Sequence, residues 1–144
     1  MDTTGIRPIA ICLLRNKGRV LVSKGLDSVK QSYFYRPLGG GIEYGETSRD
    51  AVVREIREEL GTEMENLSLL GVLENIFTYE GEQGHELVFV FDAEFADKSL
   101  YERDEIDAFE ADVRFKARWH SPAEIASSGG RLVPEGLAEM LASS

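Results

Sequence analysis

The segment from Gly40 to Thr62 constrains this chain more than any other part of its sequence. It reads GGIEYGETSRDAVVREIREELGT, so glycines precede a strongly charged helical pattern. Thr47 or Ser48 can cap the start of the predicted helix, and Gly61 is a natural stop for it. Asp50 falls in the first turn, where the helix dipole favours a negative charge. The segment therefore predicts a glycine-rich connection followed at once by a well-delimited helix.

The predicted helix places three glutamates close together. At about 100° per residue, Val52 and Ile56 share the side that packs on a sheet, and Glu55, Glu58 and Glu59 occupy an adjoining arc. Glu59 is nearest the apolar side and Glu58 farthest from it. Three carboxylates so close repel one another unless a cation neutralises them, and oxygen ligands suit Mg²⁺ or Mn²⁺. The pattern predicts a divalent-metal site; an acidic, solvated helix face is the alternative for the glutamates alone.

The triplet from Gly39 to Gly41 adds a backbone feature to this site. Glycine lacks the steric limits that a side chain imposes. We therefore expect the triplet to turn sharply before the helix and to present carbonyl oxygens to a ligand.

The rest of the chain alternates between strand and helix patterns. Strands are predicted over residues 6–14 and 19–23 with a hairpin at 16–18, over 33–38, over 67–78 as one or two strands, over 85–95 and over 113–120. Pro37 favours an edge or a strand end, and alternation in 85–95 indicates a half-buried strand. Residues 97–112 read as an exposed loop or short helix. A short helix is predicted to begin with a capping box at 121–124, and a last helix is predicted over 134–142. This order favours an α/β sandwich.

Length and charge limit the class of protein. A chain of 144 residues fits one domain, and we expect residues 1–144 to form it. The net charge of −10 argues against nucleic-acid and membrane partners, because both are anionic, although acidity for solubility alone explains it as well. The opening residues show no signal-peptide pattern, and the single cysteine, Cys12, suits a reducing compartment. We therefore expect a cytoplasmic protein.

The same segment carries a resemblance to a known family. Its pattern is similar to the Nudix box, which is matched by Gly40, Glu46, Arg54, Glu55, Ile56, Glu58, Glu59 and Gly61. Only the final apolar position departs, since Thr62 stands there. The resemblance implies an α/β/α sandwich with a mixed central β-sheet flanked by helices. It also implies metal-dependent hydrolysis of a nucleoside diphosphate linked to another moiety.

The resemblance assigns roles to residues of the motif. Glu55 and Glu59 are expected to bind metal, Glu58 to be a further ligand or a proton acceptor, and the Gly39 carbonyl to complete the coordination. Arg54 is expected to hold a glutamate in position.

Glu46 is expected to brace the junction of loop and helix. A general base must also remove a proton from the attacking water. The candidates are Glu58, Glu86, Asp104 and Glu105. Alternation in the strand pattern equally allows Glu86 to be a plain solvent-facing residue.

Substrate-binding residues are less constrained. Arg36 can meet a phosphate or be an ordinary surface cation. Five aromatic residues are candidates for stacking on a base, although most aromatic residues on strands belong to cores. They are Tyr33, Phe34, Tyr35, Phe77 and Tyr79. In the family, Tyr79 lies near a tyrosine of some dinucleoside polyphosphate hydrolases, and Phe77 and Thr78 stand where members acting on ADP-ribose carry proline.

The sequence therefore predicts an Mg²⁺-dependent pyrophosphohydrolase, with Mn²⁺ as a second option, that acts on a nucleoside polyphosphate or a related nucleotide. The alternative is a module of the same fold that senses a nucleotide without cleaving it. The intact set of motif glutamates disfavours that alternative. The sequence leaves open whether the chain forms a homodimer.

Overall fold

The computed structural model describes residues 5–144. Its strands form two groups that share one strand and diverge from it. The strands are β1 (Arg7–Asn16), β2 (Arg19–Asp27), β3 (Ser32–Gly41), β4 (Met64–Tyr79), β5 (Glu82–Phe95), β6 (Glu105–Glu110), β7 (Val113–His120) and β8 (Arg131–Leu132). The helices are α1 (Ser48–Leu60), α2 (Pro122–Ser127) and α3 (Leu137–Ser143), with a 3₁₀ helix at Lys98–Glu102. Residues 1–4 lie outside the described part, and so does the expectation about the first residues of the chain.

The strands form one mixed sheet in the order β4-β5-β1-β3-β2-β7-β6, with β8 beside β3. β1 and β5 are parallel, and the remaining pairs of the main path are antiparallel. The end of β3 pairs with β1, where Leu38 lies opposite Cys12. The beginning of β3 pairs with β2, where Pro37 lies opposite Val22. β3 therefore changes partner between these two residues, and the sheet opens into two walls there.

Helices cover both faces of the sheet. On one face, α1 buries Val52 and Ile56 in a cluster that contains Phe91 of β5. On the other face, α2 and α3 bury Ile125 and Leu137 in a second cluster. The predicted α/β sandwich with a mixed central sheet and flanking helices is confirmed. In residues 5–144 no helix has both the length and the apolar character that crossing a membrane requires.

Local signals fixed several elements as predicted. The Thr47 side chain caps α1 by accepting a hydrogen bond from the Asp50 backbone N–H at 3.0 Å. Gly61 ends α1 with a left-handed φ of 66°. β7 has the predicted bounds, and α2 begins with a capping box of Ser121 and Glu124. The β1–β2 hairpin and a single long β4, bent by two register shifts, also form.

Three predictions about the strands were wrong. Pro37 lies inside the sheet and not at an edge; it is tolerated because the pairing of β3 with β1 begins one residue later. The triplet from Gly39 to Gly41 is the end of β3, and the turn follows at residues 43–46. β5 is buried on both faces rather than one, because it lies between β4 and β1 under helices on both sides; Val88 and Val90 are fully buried.

The acidic segment 97–112 also holds a strand that was not predicted. β6 buries Ile106 and Ala108, which alternate with charged residues. Because the segment is highly charged, the alternation of buried and exposed residues along β6 was not recognised in the sequence. α3, by contrast, starts at Leu137, three residues later than the predicted helix at 134–142.

Candidate active site

The glycines at the end of β3 make room for charged side chains. A Cβ atom at Gly40 would lie 2.5 Å from the carboxyl carbon of Glu55. A Cβ atom at Gly39, where φ is 150°, would lie 2.1 Å from the Ala10 carbonyl oxygen. The guanidinium of Arg7 lies over the next glycine, Gly41. The absence of side chains in the triplet therefore lets neighbouring groups come close to β3, and the Glu55 carboxylate packs directly against the strand backbone.

The glutamates of α1 differ strongly in exposure, in the predicted order. Glu59 is 5% exposed, the Glu55 side chain 17% and the Glu58 side chain 60%. Burial, followed by the negative charges of Glu55 and Glu110, raises the pKa of Glu59 to about 8. The structure thus brings Glu55 and Glu59 together as a repelling pair, with Glu110 of β6 nearby.

Arg54 organises the side chains around this pair. Its guanidinium makes a bidentate ion pair with Glu46, in which Nε donates to Oε2 at 2.8 Å and Nη2 donates to Oε1 at 2.9 Å. It also donates to the Gly41 carbonyl at 2.9 Å, to Glu55 at 2.9 Å and to Glu58 at 3.3 Å. These bonds raise the pKa of Arg54 and lower that of Glu46 to about 2. Arg54 therefore joins the end of β3, the turn and the helix by direct hydrogen bonds, and the roles that the motif implies for Arg54 and Glu46 stay predictions.

The side chains near Glu55 fit a hard dication. Within residues 5–144 no three Asp, Glu, His or Cys side chains converge as a ready-made metal cage. Mg²⁺ does not need such a cage, because it is commonly held by one or two carboxylates together with water and substrate phosphates. Glu59, which is buried, and Glu55, which is partly buried, repel each other without a cation, and they are the residues that could supply that donor set. The metal roles of Glu55, Glu58, Glu59 and the Gly39 carbonyl stay predictions.

Two neighbouring cavities lie on this side of the molecule. The smaller, of about 280 Å³, is bounded by Gly40, Glu55 and Glu58. The larger is a groove of about 1150 Å³ between the two walls of the splayed sheet. Arg7, Ile9, Arg36 and Glu110 line both. The shared lining places the two cavities side by side, with Glu55 and Glu58 at the smaller one.

The groove has a charge opposite to that of the chain. Its basic residues are Arg7, Lys24, Lys30, Arg36, Lys116, Arg118 and Arg131, and its acidic residues are Asp27, Glu86, Glu110 and Glu135. The lining therefore carries three more positive than negative charges, in a chain whose net charge is −10. Such a groove attracts anions.

The structure brings the predicted substrate residues to this groove. Arg36 lines both cavities. Tyr79 lines the groove, and its ring makes an edge-on contact with Phe34 at 5.6 Å between centroids. Glu86 also lines the groove; it is 8% exposed, which excludes the alternative of a plain solvent-facing strand residue. Asn75 donates to Glu86 at 3.4 Å.

Asp104 and Glu105 lie outside the lining of both cavities as the structure describes it, and Glu105 forms an ion pair with Arg118 at 2.9 Å. The acidic residue of this region that faces the site is Glu110, which sequence reasoning missed. The period of two from Ile106 through Ala108 would have pointed to it. Arg7 was missed as well, because no local signal marks a basic residue at the start of a strand.

Comparisons with known proteins identify the family. A model of the NUDIX domain family matches residues 5–140. An RNA pyrophosphohydrolase from Ruthia magnifica subsp. Calyptogena magnifica is 38% identical over 71 residues, which are 49% of this chain and 37% of that protein. The match therefore spans little more than a third of the relative's length.

Solved structures show the same fold. A NUDIX hydrolase from Nitrosomonas europaea superposes with a TM-score of 0.65 at 17% identity, covering 96% of this chain and 87% of that one. A MutT NUDIX hydrolase from Burkholderia pseudomallei gives a TM-score of 0.63 at 22% identity, covering 96% and 97%. As the segment from Gly40 to Thr62 predicted, the chain belongs to the NUDIX domain family, the family of the Nudix hydrolases.

Proposed function

We propose that this protein is an Mg²⁺-dependent pyrophosphohydrolase that cleaves a phosphoanhydride bond in a nucleotide-type substrate, either a nucleoside polyphosphate or a nucleotide-linked small molecule. One observation carries the proposal. Glu55, which lies against the buried Glu59, lines a small cavity that shares lining residues with a groove of excess positive charge. A carboxylate pair for a dication and cations for phosphates are the two requirements of phosphoryl-transfer chemistry.

The residues of α1 divide the work of holding and orienting. Glu55 and Glu59 would hold the metal, with Glu58 and the Gly39 carbonyl as further ligands. When bound, Mg²⁺ or Mn²⁺ offsets the charge that builds on the phosphate oxygens and acidifies water. Arg54 fixes the Glu55 and Glu58 carboxylates by direct hydrogen bonds, so that both are oriented before the substrate arrives.

A carboxylate must also accept a proton from the attacking water. Glu86 is one candidate, because it is nearly buried at the groove wall and lies opposite Arg7 in the β1–β5 register. Glu58 is the other, because it lines the small cavity and its carboxylate is the most exposed of the three on α1. Separate Glu58→Gln and Glu86→Gln variants distinguish them. The general base is the glutamate whose replacement removes the acidic limb of the pH–rate profile and leaves nucleotide affinity unchanged.

Positive residues hold the substrate's phosphates in this proposal. Arg7 and Arg36 line both cavities, so they are placed to contact phosphates that lie between the glutamates and the groove. Tyr79 binds the nucleoside end farther along the groove. The substrate thus lies with its phosphates towards α1 and its nucleoside towards the beginning of β3 and the end of β4.

The similarity to an RNA pyrophosphohydrolase adds the 5′ end of RNA as a second candidate substrate. The positive charges along the groove favour it, although the net charge of the chain argues against nucleic acid. The expectation that nucleic acid is not a partner therefore stays a prediction.

A substrate panel tests the proposal. Nucleoside triphosphates, nucleotide sugars, ADP-ribose, dinucleoside polyphosphates and a 5′-triphosphorylated RNA are incubated with Mg²⁺, with Mn²⁺ and with a chelator, and phosphate products are followed by ³¹P NMR. We expect turnover of at least one nucleotide that stops with the chelator. Tight binding of one compound without turnover of any would favour the nucleotide-sensing module instead.

A further inference from the structure

Two phenylalanines in the groove lie over glycines of the neighbouring strands. Phe34 of β3 is paired with Gly25 of β2. A Cβ atom at Gly25 would lie 2.3 Å from the tip of the Phe34 ring. The ring therefore leans sideways across β2 instead of standing away from the sheet. Both residues line the groove.

The same arrangement recurs on the other wall of the groove. Phe77 of β4 is paired with Gly84 of β5, and a Cβ atom at Gly84 would again lie 2.3 Å from the tip of the ring. Phe77 also lines the groove. Glycine inside a strand weakens the strand, so two such pairs on facing walls call for a reason beyond strand formation.

Each ring lies two residues along its strand from a groove residue that the proposed function uses or that is paired with one. Phe34 is two residues from Arg36, and Phe77 is two residues from Asn75, the register partner of Glu86. Two residues span about 7 Å of a strand, and side chains two apart share a face. Phe34 thus lies two residues beyond Arg36, the proposed phosphate contact. Phe77 lies two residues beyond the register partner of Glu86, the candidate general base. Tyr79 contacts Phe34 edge-on and supports its ring from the opposite wall.

We infer that Phe34 and Phe77 form the two sides of a binding slot for the planar base of the nucleotide, with Gly25 and Gly84 as positioning residues that hold the rings down. This inference rests on the proposed function and adds to it the part of the substrate that the groove recognises. Stacking tolerates any base, because every base has an aromatic face. The slot therefore binds purine and pyrimidine nucleotides, and it gives no affinity for a polyphosphate that lacks a base.

A purely structural role makes a different prediction. Aromatic rings can cover strand glycines simply to stabilise the sheet. In that case, loss of a ring lowers stability and affects all ligands alike. Stacking on a base instead affects only ligands that have a base, and this difference is the basis of the test.

The test compares the affinities of nucleoside triphosphates and of ribose 5-triphosphate, which lacks a base, by calorimetry on the full chain with a chelator present. For the unaltered protein we expect at least one nucleoside triphosphate to bind about tenfold or more tightly than ribose 5-triphosphate. In Phe34→Leu and in Phe77→Leu we expect that ratio to fall about tenfold while the affinity for ribose 5-triphosphate stays unchanged. Equal affinity of the unaltered protein with and without a base would overturn the inference.

The glycines provide a second test on the same readout. Gly25→Ala and Gly84→Ala place a methyl group into the space of the ring, and neither position has a left-handed φ that would strain alanine. Each should lower the base-dependent ratio. Gly25→Ala added to Phe34→Leu should lower it no further. Additive losses would mean that the glycine acts independently of the ring, which contradicts the inference.

Phe109→Leu is the matched control. Phe109 is a 42% exposed phenylalanine on β6 that packs against Arg114 outside the groove. The base-dependent ratio should not change in this variant; a fall equal to that of Phe34→Leu would contradict the inference. Because the binding assay needs no turnover, failure of the base slot and failure of the proposed hydrolysis are separate results.

Discussion

A missing side chain at Gly40 is what lets a carboxylate rest on the backbone at the centre of the site. The Glu55 carboxyl carbon occupies the place where a Cβ atom would come within 2.5 Å. Since Glu55 is also held by Arg54, it cannot move away without losing that hydrogen bond. The position of this carboxylate therefore depends on two neighbours, neither of which is expected to touch substrate.

Gly40→Ala should displace the Glu55 carboxylate and weaken metal-dependent activity. We expect a loss of about 10- to 100-fold, the range for residues that orient a metal ligand. The measurement is the hydrolysis rate as a function of Mg²⁺ concentration. Gly5→Ala serves as the control, because a Cβ atom at Gly5 meets nothing within 4 Å. Unchanged Mg²⁺ dependence in Gly40→Ala would show that Glu55 is not held for metal.

The buried Glu59 should make the metal-free protein less stable as pH rises. Its pKa in the folded state is raised to about 8 from an ordinary value of 4.5, so the folded state binds more protons between those values. The free energy of unfolding should therefore fall by roughly 1 kcal/mol per pH unit across that window. Urea unfolding with a chelator at several pH values measures it.

Glu59→Gln should flatten this slope, because glutamine does not titrate. Adding Mg²⁺ at the alkaline end should restore stability to the unaltered protein and have little effect on the variant. A slope that is the same in both proteins would mean that another group causes it.

At the scale of elements, Arg54 ties the end of β3 and the following turn to α1. Its guanidinium donates two hydrogen bonds to Glu46 and one to the Gly41 carbonyl. Arg54→Lys keeps the charge but loses the fork geometry. We expect kcat to fall about 10- to 100-fold, because the carboxylates on α1 lose their common anchor.

Thr47→Ala is the control at the same end of the helix. It removes the helix cap and should cost about 1 kcal/mol of stability, with kcat retained below the unfolding temperature. If Arg54→Lys changed only stability, as the cap variant should, the orienting role of Arg54 would be wrong.

The ends of an element could be predicted from the sequence where adjacent residues determine them. Positions that depend on pairing with distant strands could not be predicted. The cap at Thr47 and the stop at Gly61 depend only on adjacent residues, so α1 was predicted with its ends. The place of Pro37 inside the sheet depends on β1, β2 and β8, which no local pattern specifies. The glutamates of the site follow from helical spacing. Glu110 does not, because it reaches the site from a strand about fifty residues away.

At the scale of the whole molecule, charge is distributed unevenly. An acidic chain of net charge −10 repels anions at long range, yet its groove carries an excess of positive charge. Arguments from net charge alone therefore miss the surface that an anionic substrate meets. The field inside a groove acts at short range and is weakened by salt.

Arg36→Gln should raise KM for the best substrate about tenfold with a smaller change in kcat, since Arg36 lines both cavities. The increase of KM with NaCl concentration should also become less steep. Lys17→Gln is the control, because it removes the same charge from the exposed β1–β2 turn. Equal effects of the two substitutions would indicate a general charge effect and no phosphate contact.

The most direct measurement is Mg²⁺-dependent hydrolysis by Glu59→Gln, followed by ³¹P NMR on the best substrate of the panel. The variant should fold, bind the nucleotide and release almost no product, because the carboxylate expected to hold the metal has become an amide. Full turnover by the folded variant would contradict the claim that the Glu55–Glu59 pair holds the metal for cleavage.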